Sequence, residues 1–285
     1  MKIRAAIVGP TGLTGMYLVK LLHRHPQAEL TYLASHRDEL PDLRDEFPSL
    51  RGLLDEDVAQ CRPIDPDAIA KVADVVFLGL PHKAAMAYAP QLLDAGLRVI
   101  DLSAAALGVA PLLSHSLVKP ERITIYAASG TSGAGRAAKP ATTFLSVNEA
   151  FGPYGTIGGH RHQPEIAQTL TRVAGKPVSP LFLPHLLPID AGILETIVLQ
   201  PADSDVTQAD LFEAFDDAYN AEPFVRVRPA EDVLPNVKHV VGTNYVDVSV
   251  RLTDDGQVVV FVAEDNMVKG ASGLACLFLI AVFDF

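Results

Sequence analysis

Three glycines, Gly9, Gly12 and Gly15, stand between an apolar run from Ile3 to Val8 and the helical pattern Met16-Tyr-Leu-Val-Lys-Leu-Leu22. Strand, glycines and helix in that order make a phosphate-binding turn. Gly9 reaches backbone angles closed to other residues, and Gly12 lets a pyrophosphate approach the main chain. Gly15 lets the helix pack close to the strand while its free amides face the phosphates. Thr11, Leu13 and Thr14 fill the turn, and the expected ligand is a dinucleotide. The next strand candidate, Glu29 to Ala34, ends in Ser35-His36-Arg37, where such a unit places the group that reads the ribose. An acid there binds the 2′-hydroxyl and repels a 2′-phosphate. A hydroxyl with Arg37 suits the phosphate, so NADP is expected rather than NAD, the alternative being a solvated loop arginine.

Two further stretches combine glycine with polar groups. Ser129-Gly-Thr-Ser-Gly-Ala-Gly-Arg136 offers backbone amides, hydroxyls and a guanidinium, an anion cradle unless it is only a flexible loop. Gly158-Gly-His-Arg-His-Gln-Pro-Glu165 sets His160 and His162 two residues apart, on one face if extended, just before a proline-initiated helix. A general acid/base is one reading of the pair and structural histidines are another. A metal pair is the third, but zinc takes three or four ligands and no nearby cysteine or carboxylate set completes one, so no metal is expected. The two cysteines, Cys61 and Cys276, lie far apart and specify no disulfide framework. Cys276 sits in an apolar run, where burial raises a thiol pKa, and both are expected to be structural.

These residues need a scaffold of two domains. The chain has 285 residues, 49% of them hydrophobic, which suffices for two cores. After the first two strands, Asp74 to Gly79 reads as a buried strand, Lys83 to Ala95 as an amphipathic helix and Arg98 to Ser103 as another strand. This repetition specifies a Rossmann-type doubly wound parallel sheet over residues 1–122. From Ile123 the character changes. Strands are expected at Ile123–Ala128, Leu181–Leu187, Ile193–Leu199, Tyr245–Leu252 and Val258–Ala263, with helices at Pro164–Val173 and Asp210–Tyr219. Together they read as an α+β domain with a largely antiparallel sheet over 123–263. Residues 264–285 are expected to form a terminal helix returning to the first domain, because the apolar run Leu274 to Phe283 is too short to span a bilayer. The net charge of -11 with scattered basic residues excludes a nucleic-acid surface. With no leader pattern at the N-terminus, the cytosol is the expected compartment.

Several words in this order resemble the N-acetyl-gamma-glutamyl-phosphate reductase family, within the aspartate-semialdehyde dehydrogenase-like superfamily. They are Val8-Gly-Pro-Thr-Gly-Leu-Thr-Gly15, Phe77-Leu-Gly-Leu-Pro-His82, Val99-Ile-Asp-Leu-Ser103, Ser129 to Arg136, Val147-Asn-Glu149, Gly158 to Ile166, Leu183-Pro-His-Leu-Leu-Pro188, Gly242-Thr-Asn-Tyr245 and Asp265-Asn-Met-Val-Lys-Gly270. The resemblance implies a two-stage reduction in arginine biosynthesis. A cysteine attacks the acyl phosphate, phosphate leaves, NADPH reduces the thioester, and a histidine manages the protons until the semialdehyde departs. Carried to this chain, it implies His162 as the acid/base, His160 being an almost equal choice, and His160, Arg136 and Ser132 on the anionic substrate. Asn266 joins the cofactor-binding residues, and the superfamily associates into homo-oligomers through the second domain.

The chain departs from that pattern where the nucleophile belongs. The family's Asn-Pro-Gly-Cys-Tyr-Pro-Thr word is absent, and Asp101-Leu-Ser103 passes directly into Ala104-Ala-Ala-Leu107, as though a few dozen residues were excised. The arginine usual before Gly192-Ile-Leu194 is Ala191, and the polar positions expected after Gly273 are Leu274, Leu277 and Phe278. Two alternatives to an active reductase follow. One is a non-catalytic NADP-binding homologue or interaction module, and the other is a sequence lacking a segment that the working protein has.

Overall fold

The computed structural model describes residues 2–80, 107–135, 140–155, 159–160 and 162–268, with 88, 91, 92, 94, 95 and 98–101. The chain divides between residues 103 and 104 into two compact units.

The first unit begins with β1 (Ile3–Val8), which enters α1 (Leu13–Arg24) through the glycine turn. Gly15, Leu18, Val19 and Leu22 of α1 are buried, the spacing of one helical face. Leu18, Val19 and Leu22 pack with Ile7 and Leu33 in an apolar cluster. Each aliphatic side chain so buried contributes about 1.5–3 kcal/mol. The rest of the unit comprises β2 (Ala28–Ser35), α2 (Leu43–Glu46), α3 (Glu56–Ala59), β3 (Arg62–Pro63), α4 (Pro66–Val72), β4 (Val75–Leu78) and β5 (Arg98–Asp101). Its described strands pair in parallel, in the order β3-β2-β1-β4-β5. In this doubly wound order the strand sequence reverses beside β1, and ligands bind at the carboxyl ends of the strands there. The glycine turn lies at that end. Most of the expected helix from Lys83 to Ala95 lies outside the described residues.

The second unit takes in α5 (Ala110–Ser114), whose Leu112 and Leu113, with the preceding Val109, are buried in one cluster with Ile125 and Phe182. There follow β6 (Thr124–Ser129), α6 (Phe144–Val147), β7 (Gly152–Pro153), α7 (Gln163–Ala174), β8 (Leu181–Leu186), β9 (Ile193–Leu199), α8 (Gln208–Tyr219), β10 (Val225–Arg228), β11 (Val246–Leu252) and β12 (Val258–Glu264). The sheet runs β10-β11-β12-β9-β6-β8-β7. Among the described residues only β10–β11 and β6–β8 pair in parallel, so the sheet is mixed and largely antiparallel. The β6–α7–β8 passage is the crossover that a parallel pair requires. The terminal segment is described only as far as Val268.

Candidate active site

Gly9 has φ +86°, and a Cβ there would stand 2.7 Å from the carbonyl oxygen of Gly79, at the end of β4. Gly15 is tighter, since its Cβ would lie 2.5 Å from the Gly9 oxygen. Gly12 differs from both. The nearest atom to a Cβ at Gly12 is 3.8 Å away, so its outer side is open, and the amides of the first turn of α1 face the same way. Two glycines are thus demanded by the chain's own packing, while the third keeps a clear approach to the backbone. That is the space a pyrophosphate fills, and the turn fits the group.

At the ribose end, Ser35 is buried and its Oγ accepts from the Arg37 N–H at 3.3 Å. The Arg37 guanidinium is not a free loop cation: its Nη1 lies 2.7 Å from Oε1 of Glu46 on α2. Asp42, at the start of the same helix, holds Arg44 at 2.7 Å.

In the second unit four separate stretches meet. Asp265 is buried; its Oδ1 accepts from the amides of Met267 (2.7 Å) and Val268 (3.0 Å), and its Oδ2 from that of Gly242 (2.7 Å). The turn so fixed aims Asn266, whose Oδ1 accepts from the Gly192 amide at 2.7 Å and whose Nδ2 donates to Oγ of Ser132 at 3.1 Å. The glycine-rich loop is otherwise not a cradle of free amides. Gly130, Thr131 and Ser132 donate to the carbonyls of Gly192, Ile189 and Asp190 at 2.8–3.0 Å. Gly133 and Gly135 donate within the loop. A Cβ on Gly130 would lie 2.6 Å from the Asp190 oxygen, so glycine here serves close packing against residues 189–192. Arg136 lies outside the described residues.

His160 and His162 come together, though not along an extended strand. His162 has φ -81° and ψ -16° at the start of α7, and this helical bend brings the rings edge to face with centroids 5.0 Å apart. His160 also lies 5.0 Å from the Phe182 ring, and its Nε2 is 3.4 Å from the Tyr154 hydroxyl. Phe182 is four residues before Leu186, the register partner of Ser129, a rise of about 13 Å along β8. The histidine pair and the glycine-rich loop are therefore two separate clusters at different heights along β8. Among the described residues no group of three or more His, Cys, Asp or Glu side chains is arranged to hold a metal ion.

Residues 4–116 match the family description "Semialdehyde dehydrogenase, NAD binding domain", and residues 102–266 match "Semialdehyde dehydrogenase, dimerisation domain". The N-acetyl-gamma-glutamyl-phosphate reductase of Citrifermentans bemidjiense is 39% identical, with 96% of this chain and 93% of that protein aligned. The chain belongs to the N-acetyl-gamma-glutamyl-phosphate reductase family. Its fold is that of the wider superfamily. Aspartate semialdehyde dehydrogenase II of Vibrio cholerae superposes with a TM-score of 0.71 at 14% identity, covering 100% of both chains. The Candida albicans aspartate semialdehyde dehydrogenase, solved with NADP, gives 0.70 at 16% identity over 98% of each.

The alignment with the bacterial reductase runs over 327 positions, more than the 285 residues of this chain, so at least 42 of them face no residue here. Within the reductase family pattern, the Gly242, Asp265-Asn266 and Gly192 words form one clasp on the Ser129–Gly135 loop. Cys61 does not replace a nucleophile: it is 1% exposed, and burial pushes its thiol up to about 12. Cys276 lies outside the described residues. Sequence reasoning missed Tyr154, which follows an edge strand of two residues, and Glu46, whose partner Arg37 is nine positions away. It also missed Glu195 on β9, whose carboxyl burial pushes up to about 7. No helix among the described residues is long and apolar enough to cross a membrane.

Proposed function

We propose that the site serves NADPH-dependent reduction of N-acetyl-gamma-glutamyl phosphate to N-acetylglutamate semialdehyde, a step of arginine biosynthesis, in a cytosolic homo-oligomer joined through the second domain. The observation that carries this reading is the 39% identity sustained over 96% of the chain with a reductase of that name. NADP is favoured over NAD by the lack of an acid at position 35, by Arg37 nearby, and by the superfamily member solved with NADP. In this reading Gly9, Thr11, Gly12, Leu13, Thr14 and Gly15 hold the pyrophosphate side. Ser35 and Arg37 read the ribose, and Asn266 joins the cofactor-binding residues. A nicotinamide dinucleotide supplies hydride when bound. His162 handles the proton, and His160 lies in ring contact with it. Ser132 and Arg136 bind the anionic substrate.

One observation favours a second reading, a non-catalytic NADP-binding homologue. The sequence holds two cysteines, one of them inert by burial, and at least 42 positions of the relative have no counterpart. Calorimetric titration with NADP, followed by the reverse assay with N-acetylglutamate semialdehyde and phosphate, separates the two. Binding with turnover supports the reductase, and binding without turnover supports the homologue. A chain that binds no NADP overturns both.

A further inference from the structure

We propose that Glu46 sets the cofactor choice of this chain by holding Arg37 away from the 2′-phosphate. The inference rests on the NADP reading above and extends it to a residue outside the nucleotide turn and the β2 terminus. A doubly wound unit that selects an unphosphorylated ribose carries an acid about 20 residues beyond its glycines. Here that place is held by Ser35, whose hydroxyl is buried and accepts the Arg37 amide at 3.3 Å. The carboxylate has instead arrived from the next element. Glu46 closes α2 and reaches Arg37 with Oε1 2.7 Å from Nη1. Asp42 is committed to Arg44 at 2.7 Å, so it is Glu46 that neutralises the guanidinium.

Two consequences follow from charge. A 2′-phosphate approaching Arg37 meets a paired guanidinium rather than a free one, and must either displace Glu46 or sit beside it as a like charge. The ribose 2′-hydroxyl of NAD carries no charge and meets neither penalty. Glu46 therefore lowers affinity for NADP and leaves that for NAD nearly unchanged, compressing the preference that Arg37 creates. The side chains are 42% and 20% exposed, so the pair is a partly solvated one whose loss is worth about fivefold in an equilibrium constant, plus the removed repulsion.

The test is calorimetric titration of the purified chain and its variants with NADP and with NAD at one fixed ionic strength. Glu46→Gln keeps the side-chain length and the helix. It is expected to bind NADP at least about fivefold more tightly than the native chain, with NAD within about twofold. In an Arg37→Ala background the same change should give a smaller gain for NADP, from the removed repulsion alone. Should Glu46→Gln not fold, as judged by its melting transition, Glu46→Asp, one methylene short of the pair, is expected to move NADP affinity the same way by less. A native chain that prefers NADP, with Glu46→Gln binding it no more tightly, overturns the role of Glu46 and leaves the NADP reading standing. A gain that persists undiminished without Arg37 also overturns it. A native chain that binds neither cofactor removes the NADP reading itself, and this proposal with it.

Discussion

An alanine at position 12 would place its methyl in open space, whereas one at position 15 would drive it to 2.5 Å from the Gly9 oxygen. The two substitutions should therefore fail in different ways. Gly12→Ala is expected to fold with native stability and lose nucleotide binding, and Gly15→Ala to lose stability by about 1–3 kcal/mol through forced backbone displacement. Urea denaturation alongside NADP titration checks both, and equal stability losses would remove the argument that Gly12 is kept open for a ligand. Glu195 is the other residue whose behaviour follows from one physical term. Burial raises its carboxyl from 4.5 to about 7, so the folded chain binds that proton more firmly than the unfolded chain. The contribution to stability is fully present below about pH 4.5 and is lost as pH rises through about 7. Going from pH 5 to pH 8, the native chain should lose more stability than Glu195→Gln, measured by urea denaturation at each pH. Parallel losses in the two proteins would show that Glu195 does not titrate in this window.

Among the elements, Asn266 is the connector whose removal is most informative, because it joins β12's end to two loops at once. Asn266→Ala leaves the Gly192 N–H without its acceptor and Ser132 without its donor, and should cost about 1–3 kcal/mol. Asn266→Asp keeps an acceptor for Gly192 and should cost less; a larger loss for aspartate than for alanine would refute the assignment. The elements themselves were largely legible in the sequence. The strand expected at Ile193–Leu199 is β9, and the helix expected at Asp210–Tyr219 is α8, begun two residues earlier by the Thr207 capping box. Long periodic segments are legible because one face must be buried. The strands β3, β7 and β10, of two to four residues, carry too few alternations to show a period. The site was legible only in composition. Glycines and hydroxyls at 129–135 read as an anion cradle or a flexible loop, but most of the loop's amides are taken internally, several by carbonyls some sixty positions away at 189–192, which spacing alone does not reveal. Likewise, the spacing of His160 and His162 suggested a shared face, and the rings do meet, by a helical bend rather than by extension.

For the whole molecule, the decisive quantity is turnover. Reduction of an acyl phosphate through a thioester needs an ionised sulfur, and groups that act as a catalytic unit fail together. In a serine protease the loss of the nucleophile costs on the order of a millionfold in turnover. The thiol of Cys61, pushed up to about 12, is almost wholly protonated at neutral pH, and it is buried in an apolar cluster with Leu33, Leu43 and Phe47. His162 then has no thiolate to generate and no thioester on which to act. On the non-catalytic reading, the 285-residue chain should bind NADP yet give negligible phosphate-dependent oxidation of N-acetylglutamate semialdehyde, followed as NADPH absorbance. Cys61→Ser and Cys276→Ser should leave that baseline where it is. Turnover at an ordinary enzymatic rate, abolished by one of those serine variants, would mean that a relocated cysteine performs the attack. The positions absent relative to the bacterial reductase would then be dispensable to the chemistry.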